Sequence, residues 1–439
     1  MGRCVGLFCL EIGPDGRGPA NFPDEFSPRV FFSPERSAFK PTRLFIFLRQ
    51  RLAHKYAVLG SGMQGTAAAY DLARWGDADE IWLGDRDLVQ ADQAAARVNQ
   101  LVGREVCRSA QVDASALESV QTFLSPFQVV VSCLPYWLHP GVARAAIAAG
   151  TSMVDLGGKT DITLETLGLD EDARRAGVSL VPDTGLAPGL VNSLALYLME
   201  SMDSVDSIRL FCGVLPQNPV PPLNYKLTFN VDGLVNEYDH QAVVLRDGEI
   251  VMVDTLTELE ELEIEGHGRF EAFVTSGGTS TAPYTFQGRV RDYEYKTIRF
   301  PGHCQIMRAF QECGFWREEP VSVGGGTVVP RDLWMTLVEP TLRQYVDQDQ
   351  CFVRAIAAGQ QGGRSQTTIL DLHDVEDPVT GFTSMERLTG FSASIYAIEI
   401  AQGRVQPGAI RYENAVSGGR FIEELRRRDI SVESRVVPT

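Results

Sequence analysis

The sequence predicts an α/β protein in which a doubly wound parallel sheet is followed by a second, mixed α+β domain. Three observations predict it. From residue 55 short apolar segments alternate with helix-length amphipathic ones, the pattern of parallel strands joined by crossover helices. The string Gly60-Ser61-Gly62-Met63-Gln64-Gly65 stands between the first such strand and the first such helix. After about residue 188 the alternation stops, and longer β-like runs joined by turns replace it.

Residues 1–54 read as a weakly ordered extension. They hold six prolines between Pro14 and Pro41 and eight basic against five acidic residues. Proline at that density sustains neither a helix nor an interior strand. A transit peptide is a minor alternative, since such peptides are poor in acidic residues, and an arbitrary upstream start of translation is the blander one. In the first domain, 55–187, strands are expected at 56–60, 80–84, 106–112, 128–133, 152–156 and 178–181. Helices are expected between them at 67–75, 88–101, 115–123, 142–149 and 165–176. In the second domain, 188–378, the segments 224–229, 242–251 and 293–300 read as strands. The acidic run 258–265, interleaved with Leu259, Leu262 and Ile264, reads as a half-solvated element rather than a cation site. The last segment, 379–439, holds helices at 383–388 and 391–401, with Thr383 or Ser384 placed to cap the first.

Composition excludes several function classes. A chain of 439 residues that is 44% hydrophobic can bury a large core. Its 40 basic and 57 acidic residues leave a formal charge of -17, which repels phosphate backbones and argues against nucleic acid or an anionic membrane as partner. The eight cysteines are scattered without a CxxC pair, as in a reducing compartment. With no apolar stretch near the ~20 residues that cross a bilayer and no secretory signal, a soluble, cytoplasmic protein is expected. The six histidines lack ligand spacing, so no metal is implied.

The glycine string carries the first chemistry. Gly60 permits a tight turn, Gly62 lets backbone N–H groups approach a pyrophosphate, and Gly65 lets the helix pack on the strand. Asp85 ends the next strand 20 residues after Gly65, where a carboxylate accepts from ribose hydroxyls and repels a 2′-phosphate. NAD is therefore expected over NADP, with Arg86 leaving some tolerance for the latter. Met63 and Gln64 in the string, Asp113 after the third strand, Cys133, Leu134 and Pro135 after the fourth, and Leu186 complete the expected cofactor contacts. Cys133, in an apolar strand with no neighbouring base, reads as a small hydrophobe rather than a nucleophile. The loops Asp155-Leu156-Gly157-Gly158-Lys159-Thr160 and Asp183-Thr184-Gly185-Leu186-Ala187-Pro188-Gly189 should both face the nicotinamide.

At these strings, and at Pro221-Pro222-Leu223-Asn224-Tyr225, Thr275-Ser276-Gly277-Gly278-Thr279-Ser280, Tyr295-Lys296-Thr297-Ile298-Arg299 and Gly302-His303, the sequence resembles the saccharopine dehydrogenase superfamily, on its lysine 6-dehydrogenase side. The resemblance covers most of the chain after residue 54. It implies a Rossmann sheet completed by the C-terminal segment, with an inserted mixed α+β domain that binds substrate and builds a homo-oligomer, a dimer or larger. The implied activity is NAD-dependent deamination of L-lysine at its ε-carbon, giving the 6-semialdehyde, ammonia and NADH. Two departures from the saccharopine-reductase branch bear on this: Ala187 stands where that branch tends to have Asp, and Asp232 where it tends to have Arg. A substrate with an added dicarboxylate arm needs that cation. A local turn at Asp232-Gly233 is the alternative.

For such a reaction Arg299 with Lys296 would hold the substrate carboxylate, since a guanidinium grips it bidentately. Tyr225 and Tyr295 would be neighbours, and Asp232 would offer an anion to an amine. Lys159, His139 and Tyr136 have suitable chemistry for proton transfer, and spacing does not rank them. Two other functions stay open: an NAD(P) enzyme acting on saccharopine or a carboxylated polyamine, and a non-catalytic dinucleotide-binding protein.

Overall fold

The computed structural model describes residues 53–239, 241–343 and 347–438. The reading of residues 1–54 as an extension lies outside the described residues except for its last two, and His54 already opens the first strand.

The first layer is β1 (His54–Leu59), α1 (Met63–Trp75), β2 (Ala78–Asp85), α2 (Leu88–Val102), β3 (Cys107–Gln111), α3 (Leu117–Leu124), β4 (Val129–Ser132), α4 (His139–Ala149), β5 (Ser152–Asp155), α5 (Thr160–Leu167), α6 (Asp170–Ala176) and β6 (Ser179–Val181). The expected helix at 165–176 is thus two, parted at Gly168-Leu169. All the strands pair parallel in the order β3-β2-β1-β4-β5-β6. That order reverses direction between β1 and β4, which opens a crevice at the carboxyl ends of the strands. Tyr56-Ala57-Val58-Leu59 and Val129-Val130-Val131 are buried throughout, as continuous apolar strands covered on both faces must be. Asp87 caps α2 by accepting from Val89 N and Gln90 N, and Gly103 ends it in the left-handed region.

The second layer begins after α7 (Val191–Ser201). It holds β7 (Ser204–Pro216), α8 (Val231–Asp239), β8 (Gln241–Arg246), β9 (Glu249–Asp254), β10 (Glu260–Ile264), β11 (Gly268–Val274), α9 (Ala282–Phe286), β12 (Asp292–Arg299), α10 (His303–Glu312), β13 (Val321–Val323), β14 (Gly326–Val328), α11 (Pro330–Arg343), β15 (Asp349–Gln361) and β16 (Arg364–Val375). The chain ends in α12 (Ser384–Ala401), β17 (Gly408–Ala409), α13 (Gly418–Arg427) and β18 (Glu433–Pro438). The large sheet runs β10-β11-β12-β7-β15-β16-β18, with the β8–β9 hairpin joined at β12. β12 lies parallel to β7, Thr297 opposite Cys212, and β15 lies antiparallel on the other side, Val353 opposite Cys212.

Several expectations change here. Residues 242–251 form a hairpin, because Asp247 and Gly248 both take positive φ and turn the chain. Residues 224–229 form no strand: Pro221 and Pro222 lack N–H donors and Asn224 sits at φ 48°, so a ladder cannot start. The two helices expected between 383 and 401 are one. Thr383 and Glu386 close a capping box at its start. The last segment returns to the first sheet only in part: β17 extends it beyond β6, whereas β18 pairs with β16 of the second sheet. Among the described residues no helix is long and apolar enough to cross a membrane.

Candidate active site

Between the carboxyl edge of the first sheet and the face of the second lies a cleft of about 1640 Å³. Its first end is the glycine loop between β1 and α1. A Cβ at Gly60 would stand 2.6 Å from Cys133 O, and one at Gly65 1.8 Å from Gly60 O, so both are glycine for the protein's own packing. At Gly62 the nearest atom is Gln90 Nε2 at 3.7 Å, so this position faces open space. The hydroxyl of Ser61 and both amide atoms of Gln64 are buried there without a protein partner. Asp85 accepts the Ser61 N–H at 2.7 Å and the Asp87 N–H at 3.0 Å, leaving lone pairs for further donors. Unpartnered polar atoms, an open glycine and a carboxylate at the end of β2 are the set that a nicotinamide dinucleotide requires.

Met63, Gln64, Cys133, Leu134, Pro135 and Leu186 line the cleft. Burial pushes the Cys133 thiol far up, so it stays protonated. Four expected contacts do not line it: Gly60, packed against Cys133 O, Asp85, holding the Ser61 N–H, and Arg86 and Asp113. Arg86 is exposed, and Asp113 holds the Ser115 N–H and hydroxyl at 2.9 and 2.7 Å in a turn of its own.

At the opposite end, β12 presents alternate residues to the cleft. Tyr295, Thr297 and Arg299 line it. Lys296 therefore points to the other face, where its amine meets Glu260 at 2.7 Å and Glu258 O at 2.8 Å. Lys296 is thus corrected from substrate ligand to structural ion pair. Asp232 is corrected as well: in the first turn of α8 its carboxylate is held by Arg331 at 2.7 Å and reached by the Tyr136 hydroxyl at 3.3 Å. It is neither an unpaired anion nor a loop turn. Tyr225 is buried in the wall with the Arg299 guanidinium 4.7 Å over its ring. Arg299 itself is only 3% exposed and also meets Glu237 at 3.1 Å.

Of the three groups considered for proton transfer, Lys159 and Tyr136 line the cleft and His139 does not. His139 opens α4, 1% exposed, with Nδ1 3.1 Å from the Ser132 hydroxyl, so its ring is turned into the first layer. A further titratable group on the cleft, assigned no role from the sequence, is Asp183. Asp183 follows β6, lines the cleft, and sits at φ 65° with its amide donating to Asp155 at 3.0 Å. The Ser280 hydroxyl of the second layer donates to it. A Cβ at Gly157 would come 2.3 Å from Asp183 Oδ1, so that glycine makes room for the carboxyl. Burial first, and then the Asp155 charge, push Asp183 up to about 7. The available signal was an acid at the carboxyl end of a buried parallel strand.

Comparison with known proteins decides the family. The saccharopine dehydrogenase NADP binding domain matches residues 56–181, and the saccharopine dehydrogenase C-terminal domain matches 185–430. The chain belongs to the saccharopine dehydrogenase family. Within it, the mitochondrial alpha-aminoadipic semialdehyde synthase of Rattus norvegicus is 27% identical over 296 residues, 62% of this chain and 30% of that one. The saccharopine dehydrogenase [NADP(+), L-glutamate-forming] of Saccharomyces cerevisiae is 28% identical over 278 residues, 60% of this chain and 58% of that one. The chain thus aligns with under two thirds of either relative. The apo structure of the L-Glu-forming saccharopine dehydrogenase from Saccharomyces cerevisiae superposes with a TM-score of 0.71 at 18% identity, over 88% of this chain and 100% of that one, which establishes the shared fold. The first matched domain of this chain is a dinucleotide-binding one.

Proposed function

We propose that this saccharopine dehydrogenase family member oxidises the ε-carbon of L-lysine with NAD, releasing ammonia. The observation that carries the choice of substrate is the charge of the cleft. Asp161, Asp183, Glu237, Asp239, Asp254 and Glu312 line it against Lys159, Arg299, Arg308 and Arg343. Two further cations near this wall, Lys296 and Arg331, are turned onto Glu260 and Asp232. With six acidic against four basic residues, such a cleft favours a substrate with two amines and one carboxylate over one with added carboxylates. Asp85 supports NAD over NADP through repulsion of a 2′-phosphate.

Arg299 holds the carboxylate in this reading, backed by the Tyr225 ring. The substrate amine, with a free pKa of about 10.4, must lose a proton before it can give up a hydride. Asp183 accepts that proton, and Lys159, at the start of α5, lines the same cleft. The nicotinamide, when bound, supplies the hydride acceptor.

The relatives favour a second reading, in which saccharopine is the substrate and NADP the cofactor. One assay separates the two. Reduced dinucleotide is followed at alkaline pH with lysine or saccharopine, NAD or NADP, and the product is analysed for ammonia or glutamate. Lysine-dependent NADH with ammonia is expected; turnover confined to saccharopine with glutamate release would replace the first reading by the second.

A further inference from the structure

We propose that Tyr238 and His303 act as positioning residues, forming a directed hydrogen-bond relay that sets the guanidinium of Arg299 for a carboxylate ligand. The relay rests on the reading of Arg299 as the carboxylate anchor, and it extends that reading to two residues that do not themselves line the cleft.

The direction of each bond follows from the chemistry of its ends. Leu223 O can only accept, so the 2.8 Å contact from His303 Nδ1 places the ring proton there. His303 Nε2 is then an acceptor, and the Tyr238 hydroxyl donates to it at 3.1 Å. With its hydrogen committed, the Tyr238 oxygen turns a lone pair to Arg299 Nε–H at 2.9 Å. The remaining guanidinium contacts are Nη1–H to Ile298 O at 3.0 Å and Nη2–H to Glu237 at 3.1 Å. A guanidinium carries five N–H groups. Three are engaged, which leaves one on each terminal nitrogen to donate to a carboxylate.

The surroundings keep the relay in one state. Tyr238, Arg299 and His303 are at most 3% exposed. Burial and the Arg299 charge push the His303 imidazole down to about 3, so it stays neutral and keeps its acceptor at every working pH. A protonated ring would donate from both nitrogens and would turn the Tyr238 hydroxyl toward Arg299, donor against donor. Leu223 lies two residues before Tyr225, whose ring carries the guanidinium face. The relay therefore joins three strings that stand far apart in the sequence, at 221–225, at 238 in α8 and at 295–303.

Purified full-length protein carrying Tyr238→Phe, His303→Asn or His303→Gln tests this. Phe keeps the ring's packing on Phe273 and Trp316 while removing the hydroxyl. Asn retains a donor toward Leu223 O without the distal acceptor, and Gln places an amide oxygen near the Nε2 position. Two quantities are read: KM and kcat for the amino acid oxidised, and affinity for L-norleucine, which has the amino-acid head and no ε-nitrogen. Dinucleotide affinity serves as the control.

For Tyr238→Phe and His303→Asn, KM rises and norleucine binding weakens by about tenfold to a hundredfold, the range for losing a hydrogen bond to a charged group. Their kcat and dinucleotide affinity stay near wild type, and His303→Gln recovers part of the loss. Wild-type KM and norleucine affinity in both variants would overturn the relay. If Tyr238→Phe does not fold, the two His303 variants decide alone, equal behaviour of Asn and Gln being the overturning result. If wild-type protein binds norleucine but oxidises neither lysine nor saccharopine, the proposed function fails and the relay is judged on norleucine. If it does not bind norleucine at all, the relay is overturned.

Discussion

Asp183 couples a catalytic expectation to a stability expectation of opposite sign. Its carboxyl titrates near 7 in the folded protein and at 3.8 in its ordinary setting. As a proton acceptor it works only when ionised, so kcat/KM should rise with pH through about 7. Asp183→Asn should remove that limb and lower kcat by about 10²–10⁴-fold, the usual worth of a general base. For stability, the folded protein binds more protons than the unfolded chain between the two values. Stability is then lost as pH rises through that window. Asp183→Asn should therefore raise Tm at pH 8 and leave it little changed at pH 4. A Tm gain without loss of turnover would make Asp183 a structural residue only. The sequence showed an acid here but not its state, because burial and the approach of Asp155 and Ser280 are set by chain segments up to 97 positions away. The loop glycines were legible as a string because Gly65 packs on Gly60 and Val58 within one strand, turn and helix, although the approach of Cys133 O to Gly60, 73 positions away, was not.

Local periodicity decided which elements could be read in advance. Most strands and helices of 54–181 fall where the alternation put them, the split helix at 165–176 excepted, and the central runs 56–59 and 129–131 are buried on both faces. β12 was located, yet both Lys296 and Arg299 were assigned to one site. Residues three apart on a strand point to opposite faces, and that parity was available in the sequence. Helix α12 was read as two because it is buried almost all round and shows no polar stripe to track. Helix α13 joins α1 through a buried triad that no pattern announces. Arg428 donates to Asp71 at 2.8 Å from Nε and Nη2 and to Glu424 at 2.6 Å from Nη1. Arg428→Ala leaves the Asp71 carboxylate buried without its ion pair, while Glu424 keeps Arg420 and Arg427, and should cost about 3–5 kcal/mol, the range for breaking a buried pair. Urea unfolding measures it. A loss below about 1 kcal/mol would equate the triad with a surface ion pair.

The molecule is built so that its two sheets cannot come apart cheaply. One apolar core runs from Tyr56 and Leu72 through Leu194 and Ile395 to Leu210 and Leu370, with α12 inside it. The loop at 275–281, which lines the cleft from the second layer, is fastened to elements beyond it at four points. Asn192 of α7 donates to Gly278 O at 2.9 Å, Tyr412 donates to Thr279 O at 2.9 Å, Ser280 donates to Asp183, and Thr281 donates to Glu413 at 2.9 Å. Glu413 also takes the Thr285 hydroxyl at 2.6 Å. A chain with two domains ordinarily departs from two-state unfolding. Here the shared core and these four ties predict a single transition, with calorimetric and van't Hoff enthalpies equal. Glu413→Ala removes two hydroxyl hydrogen bonds to a charged group, each worth about 1.5–3 kcal/mol, and should lower Tm while the transition stays single, because the core is untouched. Amide exchange gives the decisive reading. If β4 and β15 open with the same free energy in the wild type, the sheets fold as one unit; if β15 opens well below β4, the cleft is a joint between independent domains and the ties across it are incidental.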